Sequence, residues 1–567
     1  MKTARLISLS LGLAAFGFAQ EAAPSAKTPI KSDVSPDLIT MMLSKPTAAV
    51  ELPREVIQKH GPTLEDVGSA ATVASVSTPV NFVQSASVPT PAFSATPGLN
   101  FEGLGTGFAG YSVFAAPPDT TLAVGPNHVV QWVNSHIAIF DKSGNPTLGA
   151  PGFVAGNVLW TGFGGLCEST NRGDPLVAYD KIADRWVFSQ FAFNVSGGLP
   201  ATPYLQCFAV STGPNPAGPY NRYAYDFSTF GPSGTPEFND YGKIGVWPDA
   251  YYLTYNAFGG SPAGSNTGVI VCAYDRAAMV AGSGAVQLCA PFGFYMNGAS
   301  LLPSDLEGNT ALPAAGTPNF MMRQNGVGGV SFRMMKFKVN SFSPPSMTFD
   351  NGMGGGAGSF ISFPITLTRP CNGTGGTCVP QPGTATLLDT LGARMMYRLG
   401  YRNRGGVESL VGSMSEDPDG AGTQASALRW FEMRAPSSNA PSMYQMSTFN
   451  PDTTNRWMSS IAMDKNGNMA LGYSVSSSSV NPGIRITGRL RSDIRNRMQG
   501  ETTIVNGSGS QTTYGGGTPL TRWGDYSTMR VDPANDCTFW YTTEYIAANG
   551  AFNWRTRIAS FRFPNCQ

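Results

Sequence analysis

"PDTTNRWMSSIAMDKNGNMALGYS", Pro451 to Ser474, decides the reading of the fold. An Asp opens the stretch, an apolar run follows, the turn Asp464-Lys465-Asn466-Gly467-Asn468 breaks it, and a second run ends on an aromatic residue. Asp, Asn and Gly tolerate the left-handed backbone angles of a tight turn, so the stretch reads as two antiparallel strands. The same grammar recurs along the chain. Asp119 opens "PPDTTLAVGP", Asp174 "GDPLVAYD", Asp240 "NDYGKIGVWPD", Asp389 "LLDTLGARMMY", Asp452 the quoted stretch and Asp525 "WGDYSTMRVD", with Asp305 in "LPSDLEGN" a weaker member. Successive Asp residues lie 55 to 84 residues apart, room for four strands and their loops. Regular repetition of four-stranded units predicts an all-β chain folded as a β-propeller. Seven blades fit best, with six as the alternative if the Asp305 unit is an elaborated loop. The last unit shows only three clear strands, and "LNFEGLG" near residue 100 is expected to supply the fourth and close the ring.

Composition agrees. The chain of 567 residues holds 67 Gly and 43 Pro, well above average usage, and is 11% aromatic, the signature of many turns around many strands. Charged residues make up only 13% and the net charge is +1, which speaks against nucleic-acid binding or a polybasic membrane surface. The N-terminus places Lys2 and Arg5 before an apolar run from Leu6 to Phe18, which reads as a signal peptide over residues 1–19. No segment is apolar for long enough to span a bilayer, so an exported protein, periplasmic or extracellular, is expected. Residues 20–97, rich in Ala, Ser, Thr and Pro, read as a leader or linker with a short helix-like stretch from Pro53 to Lys59, and residues 98–567 as the propeller. Eight cysteines without a C-x-x-C suit disulfides, and sequential pairing (167 with 207, 272 with 289, 371 with 378, 537 with 566) closes short loops.

Several long phrases, from Pro117 to Asn134, Gly173 to Phe191, Gly245 to Tyr252, Arg456 to Ser474 and Arg522 to Tyr545, resemble a largely uncharacterised group of secreted bacterial propeller-like proteins. The resemblance covers roughly residues 115–567 and implies the propeller fold; it brings no catalytic assignment. The chain is more remotely similar to sialidase-like and Asp-box propellers, although the S-x-D-x-G-x-T-W signature is absent and "MDKNGNMALGYS" only approximates it.

In a propeller the first strands of all blades line one channel, so residues at their starts converge on one mouth. Asp119, Asp174, Asp240, Asp389 and Asp452 are therefore expected to form a ligand-binding ring, with Trp247, Tyr251 and Tyr252 available to stack on sugar rings. Such carboxylates raise one another's pKa and can supply a general acid, or bind a divalent cation such as Ca2+ through oxygen ligands. The competing reading is that each Asp caps its own turn. Arg522, Asp525 and Tyr526, with Arg456 on the same rim and Glu544 nearby, echo the Tyr/Glu pair, arginine and Asp acid of sialidases; Arg172 and Arg394 are further arginines near strand starts, and the competing reading makes Trp523, Gly524 and Asp525 a blade-entry turn with Trp523 packed between blades. The histidines of the propeller, His128 and His136, could meet across a hairpin. Two functions follow: recognition of an extracellular ligand, a glycan, at the channel mouth, or carboxylate-dependent glycoside hydrolysis or lysis.

Overall fold

The computed structural model describes residues 25–44, 54–55, 73–75, 82–231, 234–290, 300–325, 331–350, 352, 360–392, 394–420 and 425–567. The expected signal peptide lies outside them, as does the stretch from Pro53 to Lys59 apart from Arg54 and Glu55.

Strands dominate, and they group into antiparallel units in chain order. One unit runs Thr121–Val124, His128–Val133, His136–Asp141 and Val154–Ala155. The next runs Leu176–Asp180, Arg185–Ser196, Leu199–Ser211 and Tyr220–Asp226, and the one after it Glu237–Val246, Ala250–Gly259, Asn266–Asp275 and Gln287–Cys289. Further units start on Leu302–Leu306, Met395–Arg404, Asn455–Met463 and Thr528–Val531. These first strands lie side by side in order, and Thr528–Val531 returns to Thr121–Val124, so the ring closes. The chain is an all-β propeller. Leu302–Leu306 and Met395–Arg404 pair in parallel, Ser304 opposite Leu399, which joins two units into one hydrogen-bonded sheet.

The turns between first and second strands carry the expected chemistry. Asp464 accepts from Asn466 N and Asn468 N, both at 2.9 Å, and Gly467 takes φ +84°. Asp180 accepts from Ile182 N at 2.9 Å in the same way. Ring closure uses the "LNFEGLG" region as expected: Thr96–Glu102 lies antiparallel to the C-terminal strand Arg555–Arg562. N-terminal and C-terminal segments thus share one blade.

The segment read as a leader does more than link. Ser25–Lys27 pairs with Gln287–Cys289, Lys31–Val34 with Tyr220–Asp226 and Val83–Ser85 with Ser442–Asn450. Each caps the outer edge of a blade, where an unpaired strand would otherwise invite association. The helix Leu38–Ser44 buries Leu38 and Met41, and Asp33 grips the buried Arg222 through both oxygens, at 2.8 and 2.7 Å.

All four disulfides follow the sequential pairing. Cys537–Cys566, 29 residues apart, clamps the closing blade. Replacing both cysteines by Ser is expected to lower the unfolding free energy in urea by about 3 kcal/mol, the loop entropy returned to the unfolded chain.

Candidate functional site

The first strands all begin at one end of the ring, and there the backbone turns left-handed: φ is +49° at Asp119, +46° at Asp174, +53° at Tyr241, +51° at Met458 and +54° at Asp525. Asp is one of the few side chains that adopts this conformation readily. The repeated turn delivers the carboxyls of Asp119, Asp174 and Asp525, with Asp240 just before Tyr241, to a shared centre, where the charges of Asp525 and Asp174 bear on Asp119 and Asp240.

Asp119 is fully buried and no well-aligned donor reaches either of its oxygens. Asn134 lies beside it, but the Asn134 amide donates to Pro117 O at 2.9 Å. Burial, then the charges of Asp525 and Asp174, push the Asp119 carboxyl well above its ordinary range, against the pull of Arg522. Asp174 is pushed up to about 6 by burial and Asp525, moderated by Lys243, and it is in hydrogen-bond contact with Asp119. Neighbouring carboxyls repel when ionised, so the charge on one raises the pKa of the other. Asp174 also accepts from the backbone N–H of Tyr241 at 3.2 Å, in the neighbouring blade. Asp240 is likewise raised well above its usual range by burial, Asp174 and Asp525.

Cations answer this charge only partly. Arg522 donates to Asp525 at 2.9 Å. Lys243 is packed against the ring of Tyr241 and 3.9 Å from the ring centroid of Tyr526, with its ammonium directed at Tyr241 O and Gly242 O, at 3.2 and 3.3 Å. Burial holds Lys243 well below its ordinary pKa although Asp174 opposes the shift. Arg394 stacks 4.9 Å over the Tyr241 ring. Asp389 is raised by burial, with Arg522, Asp525 and Arg394 in reach, while its own oxygen accepts from Leu391 N at 2.9 Å. Glu544, fully buried, accepts from Gly524 N and leaves its other oxygen without a donor. The centre thus holds more acid than base.

A second charged layer lies further along the same strands. Arg398 donates to Asp305 at 2.8 Å and also pairs with Glu307; Arg530 pairs with Asp305 and donates to Tyr397 Oη at 2.9 Å. Val246 N and Val531 N complete the carboxylates at 3.1 and 3.0 Å. Asp305 is thereby held below the usual carboxylate range by Arg530 and Arg398 in spite of its burial. It belongs to this balanced network, not to the acidic centre.

Several expected site residues are placed elsewhere or otherwise engaged. Arg456 and Asp452 pair with each other at 3.0 Å, and Arg456 also with Glu501 at 2.9 Å, in a separate network; Asp452 further accepts from Thr454 N at 2.7 Å, a turn cap. Trp247 is not a sugar platform: it is buried, donates to Thr317 O at 3.1 Å and meets Tyr401 edge-on at 4.9 Å. Tyr251 and Tyr252 are buried too, bonded to Asp180 and Asp249. Tyr526 sits in the centre but is no poised nucleophile, because its hydroxyl donates to Gly242 O at 2.9 Å and burial keeps it protonated. Arg172 donates to Phe193 O. His128 and His136 occupy opposite ends of their hairpin, and His136, lowered to about 4 by burial, packs among Tyr111, Phe114 and Phe153. Lys243, Tyr241 and Asn134 lie outside the residues the sequence singles out, and Lys243 stands in a strand, Glu237–Val246, that is buried throughout. Among the described residues no group of three or more acidic, His or Cys side chains has metal-holding spacing.

Fold and site together define a β-propeller with an under-neutralised acidic centre where its first strands begin. No protein-family model matches the chain, and no curated protein matches it by sequence. Solved structures that it resembles include a Hadza microbial sialidase (8% identity, TM-score 0.34, covering 78% of this chain and 74% of that one). An ulvan lyase shows 10% identity and a TM-score of 0.33, covering 82% and 97%. The WD40 domain of fission-yeast SCAP shows 9% identity and a TM-score of 0.31, covering 84% and 93%. These likenesses concern the fold alone. Among the described residues no helix is long and apolar enough to cross a membrane, and the four disulfides fit an extracytoplasmic protein.

Proposed function

We propose that this protein is an exported, seven-bladed propeller that binds a polyhydroxylated extracellular ligand, a glycan, at the acidic centre. The observation that carries the reading is the pair of Asp119 oxygens, buried and without a donor, beside further open acceptors on Asp525 and Glu544. Burying acceptors that nothing in the chain satisfies is costly, and a sugar supplies the hydroxyl donors they lack. The same hydroxyls can accept from Arg394 and Arg522. Purified protein with its disulfides intact, screened on a glycan array and then by calorimetry, is expected to bind a defined glycan. Asp119→Asn, which keeps the shape but puts an amide donor where an oxygen accepts, should weaken that binding by roughly tenfold or more, the cost of leaving a buried hydroxyl unsatisfied. Undiminished binding by the variant, or no glycan bound by the wild type, would contradict the reading.

One observation favours a second reading, carboxylate-dependent glycoside hydrolysis or lysis: burial and Asp525 push the Asp174 carboxyl up to about 6, beside Asp119, as in acid–base catalysts. That pair is too close to flank a glycosidic bond, since hydrolytic carboxyls stand about 5 Å or more apart, so Asp240 or Asp525 would have to be the partner. Release of reducing ends or unsaturated sugar near pH 6, lost in Asp174→Asn, would select this reading.

A further inference from the structure

The turn Asp464–Asn468 follows the first strand Asn455–Met463 at its far end, about 16 Å beyond Met458 and hence away from the acidic centre. A surface cavity of about 440 Å³ opens there, lined by Arg404, Lys465, Asn466, Arg491, Ser492 and Asn565. Its lining carries cations, amides and a hydroxyl, and no acid. The acids nearby face inward: Asp464 is consumed by the N–H groups of Asn466 and Asn468, and Asp493 by Leu490 N at 2.8 Å and Gln499 Nε2 at 2.9 Å, while Lys465 Nζ donates to Gln567 O at 2.7 Å.

Arg404 is the decisive side chain. It is only 8% exposed, its Nε has no partner, and its nearest acid, Glu432, stands 4.0 Å away. Glu432 is already engaged by Arg434 at 2.8 Å, Ser409 at 2.9 Å and Gln445 at 2.6 Å. Burial and the guanidiniums of Arg491, Arg434 and Arg402 weaken Arg404's hold on its proton, with Glu432 offsetting part of this. A nearly buried guanidinium with an open donor, beside two more cations, is an incomplete oxyanion site. The loop that provides Arg491 and Ser492 continues into a second cavity of about 600 Å³, lined by Ser442, Met443, Tyr444, Ile494, Arg495 and Asn496. One loop thus lines both cavities.

We propose that these two cavities bind an acidic polysaccharide, with a sulfate or carboxylate group of the chain seated against Arg404 and Arg491. The proposal stands apart from the acidic centre, which repels such groups. Nucleic acid is the poorer fit: Tyr444, the aromatic of the second cavity, carries Arg434 and Arg495 against its ring, at 3.2 and 5.1 Å, where a base would stack.

The test uses the full protein and dextran sulfate, with neutral dextran and a single-stranded oligonucleotide of equal charge as comparison ligands. Dextran sulfate should bind with an affinity that falls as salt rises, and Lys465→Ala/Arg491→Ala, two exposed positions, should weaken it by roughly tenfold or more. A Lys31→Ala/Lys338→Ala control, with the same charge loss elsewhere, should leave it unchanged. The proposal is overturned if dextran sulfate does not bind, if the control loses as much as the test variant, or if the oligonucleotide binds as tightly and responds to the same substitutions.

Discussion

Arg398→Ala is expected to cost about 3–5 kcal/mol of unfolding free energy, read as a fall in the urea midpoint with little change in slope. Arg398 is fully buried and bridges Asp305, in the inner strand Leu302–Leu306, and Glu307, just past its end. Arg530 still pairs with Asp305 in the variant, but Glu307 keeps only Val531 N. A buried carboxylate stripped of its cation carries its full desolvation cost, and the loss falls where neighbouring blades meet the axis. A drop below about 1 kcal/mol, the range of an exposed ion pair, would mean that this layer is not closed to water.

Asp119→Asn has the opposite sign. The Asp119 carboxyl is raised by burial and by Asp525 and Asp174, so its charged form is a burden on the folded state. Replacing it by Asn, which tolerates φ +49° as Asp does, should stabilise the protein at pH 7.5 by about 0.5–2 kcal/mol. The pH dependence follows from the same shifts. Asp174 binds its proton up to about pH 6 in the folded state against 3.8 unfolded, so the folded state holds more protons across that window and stability falls as pH rises through it. Asp452, lowered to about 2, works the other way: its contribution is lost as pH falls from about 4 to 2. Stability should therefore peak in mildly acidic solution, and Asp119→Asn should flatten the decline on the alkaline side. Unfolding free energies from urea titrations at pH 2.5, 5.0 and 7.5 check both points.

Much of this was legible before any coordinates. The Asp at each strand start marks a backbone turn that few residues adopt, which is why Asp119, Asp174 and Asp525 could be picked out and why they converge. The series misleads where another residue takes the turn. Tyr241 and Met458 hold the left-handed position in their units, so Asp240 sits one residue early and Asp452 six residues early, and the latter closes its own turn with Arg456. Asp305 lies inside its strand and joins the deeper network. Lys243 was hidden because strand periodicity says which face a residue takes, not that a cation is needed there. The edge strands from the N-terminal segment were equally hidden: Ser25–Lys27 and Lys31–Val34 pair through their backbones, and backbone pairing leaves little trace in side-chain pattern. Only Thr96–Glu102 could be inferred, from the strand missing in the last unit.

The central claim is that carboxyls from separate blades meet in a site too poor in cations to ionise them all. Infrared difference spectroscopy of wild type against Asp119→Asn at pH 7 tests it most directly, through the carbonyl stretch of a protonated carboxylic acid. A protonated-acid band in the wild type that is lost or shifted in the variant is the predicted result. A wild-type spectrum at pH 7 with carboxylate bands alone would show the acids fully ionised and compensated, and would contradict the account.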